Sequence, residues 1–355
     1  MSQKILDKLT HLQENHALEV VLFFLMLTAA MIPGMGRVET IVALENMMPS
    51  SSEPVREFNN LRAEGLGKDS IAVQITAGKG DSGVDSVSSQ KARRYVQDLS
   101  RDIGEIYGVT EVHTPYERKG LIDERNRTAV IIAYTYMGDS GSSMERIFNE
   151  IEEESTHNRP EGVEASVSGV PAVQQRLSSM VERDKNVTTV ISLFLVFLIT
   201  LGLFEGSITS SIMPLIVVGL SVVWLYGTMG YLGIPLSTLA GSVAALVIGI
   251  GIDYSVHILN TYRFHRRDNT IGEALSEAVG ETGVAIIATS ITTISAFMAF
   301  LSGMMPEMHR FGLIMSIGIG YSLIFSFFLL PSVFVLEEKI IAKIHDSVKW
   351  RHDFR

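Results

Sequence analysis

One carboxylate sits inside a membrane-length apolar run, Ser237 to His257, STLAGSVAALVIGIGIDYSVH. About 20 apolar residues at 1.5 Å per residue span the hydrocarbon core of a bilayer. An Asp near the middle of such a helix costs on the order of 3 kcal/mol on insertion scales. Such an acid is kept where it faces other helices or water and carries protons or ions. Here the acid is Asp253, followed by Tyr254 and, four residues on, by His257. Positions four apart share a helix face, so Asp253 and His257 stack one turn apart. The expected chemistry is a proton relay through Asp253, Tyr254 and His257, with Asp253 buried among spans four, five and six. The competing structural reading is a capped or paired acid that holds helices together.

A second polar stretch, Ala288 to Ser295, interrupts the next apolar run. Thr289 and Thr293 share a face, as do Thr292 and Ser295. Thr289, Thr292 and Thr293 form a candidate polar path for protons or water. Hydroxyls in membrane helices equally often bond their own backbone carbonyls or hold helices together. Gly249 and Gly251 in the fourth span and Gly312 in the sixth are candidate helix-packing positions.

These residues need a membrane bundle to position them, and the composition supplies one. The chain has 355 residues, 46% hydrophobic, with positive mean hydropathy. That pattern fits a membrane protein with a sizeable polar domain. A net charge of −10 implies no nucleic-acid partner. With no cysteine there is neither a disulfide framework nor a thiolate metal site, and no metal or other cofactor is expected. No Ser/His/Asp, HExxH, Walker or Rossmann pattern is present, so the chain reads as a non-enzyme. Transport would draw on an ion gradient or on a partner.

Residues 1–16 read as a short interfacial helix with Ile5, Leu6, Leu9 and Leu12 on one face. Residues 17–36 read as a retained first transmembrane helix, broken at Gly34-Met35-Gly36, in preference to a signal peptide cleaved near Ala29-Ala30, because the polar lead-in is long for one. The segment 37–185 is polar, with 25 acidic against 18 basic residues. Its periodicities predict a helix near 53–66 and strands at 70–76, 109–114, 128–136 and 163–168. Helices are predicted at 86–107, 142–157 and 173–184. The order β-α-β-β-α-β is that of a split ferredoxin-like unit. GKGDSG at 78–83 is a turn, since no Lys-Ser/Thr pair completes a phosphate loop. A five-helix bundle follows over 186–338, with an amphipathic helix near 269–281 and a tail over 339–355. Lys and Arg cluster in the N-terminal segment, the 259–282 loop and the tail. The positive-inside rule then puts both termini in the cytoplasm and 37–185 outside a cytoplasmic membrane. The fold class expected is a six-span helical membrane protein with an extracytoplasmic α+β domain.

The layout and motifs together resemble a half-length member of the resistance–nodulation–division (RND) superfamily, in the lipid-exporter branch with the mycobacterial large membrane proteins. That family has one span, a large porter domain, then five spans. Its fourth span carries G-x-x-x-D-Y, reproduced here by Gly249-Ile-Gly-Ile-Asp253-Tyr254. Its fifth span follows a cytoplasmic helix and starts polar, as Glu273 to Thr293 does, and a Phe-Gly pair, here Phe311-Gly312, opens its sixth. The resemblance implies that the Asp-Tyr pair takes protons inward while the outer domain moves amphiphiles outward. It implies membrane lipids or a hydrophobic small molecule as substrate. Full-size members fuse two such halves, so a second copy, most simply in a homodimer, is the implied partner. Two alternatives share the layout: a lipid- or sterol-sensing type binding protein without transport, and a SecD/SecF-like protein-export accessory. The latter typically carries a different fourth-span motif.

Overall fold

The computed structural model describes residues 3–40, 49, 52–63, 68–78, 84–136 and 141–352. Most of the expected turn at 78–83 and the end of the expected 53–66 helix lie outside the described residues. The chain divides into two compact units, 1–40 with 181–355, and 41–180.

The first unit begins with α1 (Gln3–Asn15) and α2 (Ala17–Met35). The second contains α3 (Glu53–Ala63), β1 (Lys68–Ala77), α4 (Gln90–Glu105), β2 (Val109–His113), β3 (Thr128–Tyr136), α5 (Gly141–Thr156) and β4 (Val163–Gly169). A 34-residue helix follows, α6 (Val170–Leu203), which merges the expected 173–184 helix with the second span. The rest is α7 (Ile208–Leu232), α8 (Val243–His265), α9 (Ile271–Glu277), α10 (Gly283–Met298), α11 (Pro306–Ile324) and α12 (Leu330–His352). π-Helical turns at Ala278–Thr282 and Phe325–Leu329 join α9 to α10 and α11 to α12.

The polar unit is a four-stranded antiparallel sheet in the order β2-β3-β1-β4. Side chains alternate across a strand. Ile71, Val73 and Ile75 of β1 therefore turn one way with Ile131 and Ala133 of β3. They pack with Val96, Leu99 and Ile103 of α4 and Ile147 and Ile151 of α5 in one buried cluster. Ser89 caps α4 by accepting from the backbone N–H of Ala92, so the helix starts four residues after the predicted boundary. Ile131→Ala is expected to destabilise this unit by about 2–5 kcal/mol. Ile132→Ala, on the opposite and half-open face, should cost clearly less. Denaturant unfolding of the two variants checks the alternation.

Six helices among the described residues are long and apolar enough to cross a membrane: Ala17–Met35, Arg176–Leu203, Ile208–Leu232, Leu239–His265, Ile271–Ser302 and Pro306–Ile341. They are not equivalent. Half or more of spans three, four and six is buried inside the protomer, against 6% of span two and 11% of span five. Lipid provides no hydrophobic force between helices, so close packing and hydroxyl pairs hold this core together. A Cβ on Gly251 of α8 would lie 2.5 Å from Ser322 Oγ, and one on Gly318 of α11 would lie 2.5 Å from Val247. Ser221 pairs with Ser322 at 3.0 Å, Ser255 with Ser326 at 2.8 Å, and Thr228 with Tyr321 at 2.8 Å.

The N-terminal helices add two packing details. α2 ends at Met35 with Gly36 as its C-cap, within the expected Gly34-Met35-Gly36 break, and Gly34 in its last turn packs against α7, where a Cβ would meet Gly227 O at 2.4 Å. On α1, Leu12 faces outward, whereas Thr10 and Gln13 are buried. The reason is a hydrogen-bond demand inside the bundle: Gln13 Nε2 donates to Phe327 O, within the π-helical turn, at 2.7 Å. A π-turn departs from the regular backbone ladder, and a long polar side chain satisfies the carbonyl it leaves.

Candidate functional site

α8 is two-faced. Val247, Ile248, Gly251, Tyr254, Ser255 and Ile258 are buried in the protomer. Leu246, Gly249, Asp253, His257 and Asn260, spaced three or four apart, form an exposed stripe along the opposite side. Asp253 therefore lies on the protomer surface, not buried among spans four, five and six as the sequence suggested. The physical reason is rotational. Successive helix residues are about 100° apart, and the helix turns its glycine–serine face toward α11, which leaves Asp253 pointing away.

The same rotation separates the Asp-Tyr pair. Tyr254 is 6% exposed and turns inward toward Ser290 of α10. Ser290 Oγ is itself buried with no partner in hydrogen-bond geometry. His257 shares the open stripe with Asp253, but the two are not within ion-pair distance. A relay within one protomer is therefore not assembled as a hydrogen-bonded chain among the described residues. The structure places a lone carboxylate on an exposed stripe, with a phenol behind it.

The hydroxyls of α10 bond locally. Thr289 donates to Ala285 O and Ile286 O at 3.1 and 3.0 Å. Thr292 and Thr293 both donate to Thr289 O at 2.8 Å. Their oxygens keep acceptor capacity, but the protons are engaged within the helix. Of the glycines, Gly251 packs on α11 and Gly312 on α10, where a Cβ would meet Phe297 O at 2.4 Å. Gly249 has no atom within 4 Å of its would-be Cβ, so it packs no helix within the protomer. Residues that sequence reasoning passed over are Ser290 and the buried serines Ser221, Ser255, Ser322 and Ser326. Their signal is a hydroxyl inside an apolar run, but their pairing is set across up to 101 residues of chain. Among the described residues no cluster of His, Asp or Glu could hold a metal ion.

The protein-family model described as the MMPL family matches residues 46–351. A membrane protein of Methanocaldococcus jannaschii is 27% identical, with 98% of each chain covered. The sulfolipid-1 exporter MmpL8 of Mycobacterium tuberculosis is 21% identical, covering 76% of this chain and 25% of the exporter. The crystal structure of a heavy metal efflux pump superposes with a TM-score of 0.58 at 14% identity, covering 91% of this chain and 47% of the pump. The chain thus spans nearly all of the archaeal relative, under half of the pump and about a quarter of the exporter.

Proposed function

The chain belongs to the MMPL family of membrane transport proteins, and from that premise we propose that it moves hydrophobic or amphiphilic molecules, lipids foremost, across or out of the cytoplasmic membrane, driven by the proton-motive force. The observation that carries the reading is Asp253, a carboxylate held at membrane depth on an open helix stripe. An acid in that position is costly to keep and has its use in loading and unloading a proton. The ferredoxin-like outer domain, residues 37–185, serves as the porter. Both termini lie in the cytoplasm, in keeping with the Lys and Arg distribution. Similarity to a sulfolipid exporter supports an amphiphilic cargo.

In this reading the working unit is a twofold dimer, the commonest closed arrangement for identical chains. The open stripe of α8 faces its symmetry mate across the axis, with Gly249 as the point of closest approach. Transport of a fluorescent lipid analogue by proteoliposomes, with and without an imposed pH gradient, tests the function. Gradient-independent rates would remove the proton-coupled reading.

The open stripe is the place at which to test assembly. Ala244 is fully buried in the protomer and so is a poor cross-linking site. Leu246 and Gly249 lie on the exposed stripe. In this cysteine-free chain, single cysteines at 246 or 249 are expected to form disulfide-linked dimers in native membranes, and a cysteine at 244 is not. Absence of dimer at both exposed positions would rule out this interface.

A further inference from the structure

The first unit also carries a recess that the transport reading does not use. It has a volume of ≈ 420 Å³ and is lined by Phe204 from the α6–α7 turn, by Tyr262, Arg263, Arg266 and Arg267 at the end of α8, and by Glu338 of α12. The spans alternate in direction, so the ends of spans two, four and six all reach the same membrane boundary, and the recess joins them.

Its charges are organised. Glu338 accepts from Arg266 Nε at 2.9 Å and from the Tyr262 hydroxyl at 2.7 Å, and Arg266 Nη1 also donates to Asn269 O at 3.0 Å. Arg266 is thus fixed in place and its nearest carboxylate is engaged. Arg263 lies with its guanidinium 5.7 Å from the centre of the Phe204 ring. Phe204 is buried and forms an apolar floor. Arg263 and Arg267 are exposed, and neither has a carboxylate within ion-pair distance among the described residues. Two further acids are nearby: Glu205, in a left-handed turn with φ 52°, and Glu337, which faces Arg263. Two exposed guanidinium groups beside a fixed third one, over an aromatic floor at a bilayer boundary, have the chemistry of a phosphate clamp. Planar guanidinium forks match phosphate oxygens, and basic pockets between membrane helices suit anionic headgroups.

We propose that this recess binds a phosphate group carried on an anionic lipid, with Arg263 and Arg267 as its ligands and Arg266 as the positioned third cation. Bound there, the lipid bridges α6, α8 and α12 and so ties membrane composition to the helix that bears Asp253. The proposal stands whether or not the chain pumps protons.

Native mass spectrometry of the full chain in dodecyl maltoside, titrated separately with dioleoyl phosphatidylglycerol, dioleoyl phosphatidylcholine and sodium phosphate, tests it. Phosphatidylglycerol is expected to bind more tightly than phosphatidylcholine. The double variant Arg263→Gln/Arg267→Gln is expected to lose that preference, by on the order of 30-fold if each cation contributes as a membrane-surface charge does. The variant's unfolding temperature without added lipid should match the wild type, which separates loss of the site from loss of the fold. Arg263→Lys/Arg267→Lys should keep part of the preference. Equal affinity of the wild type for the two lipids overturns the proposal, as does wild-type phosphatidylglycerol affinity in the Gln variant. Complete displacement of phosphatidylglycerol by equimolar sodium phosphate overturns the lipid as the source of the phosphate.

Discussion

Asp253→Asn is expected to abolish gradient-driven transport while expression, membrane insertion and assembly stay at wild-type levels. The substitution is nearly isosteric, and Asp253 lies on the exposed stripe with no side-chain hydrogen bond or ion pair among the described residues for it to break. Fold and function should therefore separate cleanly at this position. Each proton moved inward across about 100 mV releases about 2.3 kcal/mol, which can bias a conformational cycle only if a group on the path titrates. An amide does not. Loss of a positioned proton-transfer group typically costs about 10²–10⁴-fold in rate, which would take lipid-analogue transport to the background of empty vesicles. Asp253→Glu should retain measurable, pH-gradient-dependent activity. Tyr254→Phe should do less harm, because Tyr254 faces inward toward Ser290 instead of sharing the open stripe. Wild-type transport by the Asn variant would exclude Asp253 from energy coupling.

The second large effect concerns the fold. Gly230→Val is expected to prevent stable association of α2 with α7 and to leave little folded protein in mild detergent. A Cβ at position 230 would stand 1.7 Å from the carbonyl oxygen of Gly34, and one at Gly227 would stand 2.7 Å from Met31 O. The obstacle in both cases is backbone, which cannot rotate aside, so the two helices must separate. Overpacking of a flexible core usually costs about 1–3 kcal/mol; here the loss should reach or exceed that upper value. Separation would also break the Trp224 Nε1–H bond to Thr28 Oγ1, 2.8 Å long, and the Phe24–Trp224 stack at 6.0 Å. Gly219→Ala provides the control, because nothing lies within 4 Å of its Cβ position. Size-exclusion profiles of fluorescently tagged variants distinguish the cases. A monodisperse Gly230→Val protein with wild-type thermal stability would show that the α2–α7 crossing is not required.

Much of this molecule could be read along the chain. Six apolar runs gave six candidate spans, because a bilayer demands length and hydropathy and both are local properties of sequence. The strands at 68–77 and 128–136 were legible from alternation, since one face of the sheet is buried there and the other is not. Asp253 stood out because a carboxylate in an apolar run is rare and costly wherever the helix points.

The direction in which that helix points was not legible. An apolar membrane helix carries little amphipathic signal, because lipid and protein interior are almost equally apolar. The rotation of α8 was therefore decided by long-range fits: Gly251 against Ser322, Gly318 against Val247, and Ser255 against Ser326. Those contacts turned Tyr254 inward, left Asp253, His257 and Gly249 on an open face, and gave the glycines different tasks. The buried face of α1 was hidden for a related reason. Gln13 answers a carbonyl in a π-helical turn 314 residues away, and no local pattern records that demand. Hydropathy and the lone acid were fixed by residue type, while burial and pairing depended on which surfaces met, and only the packed bundle decided that.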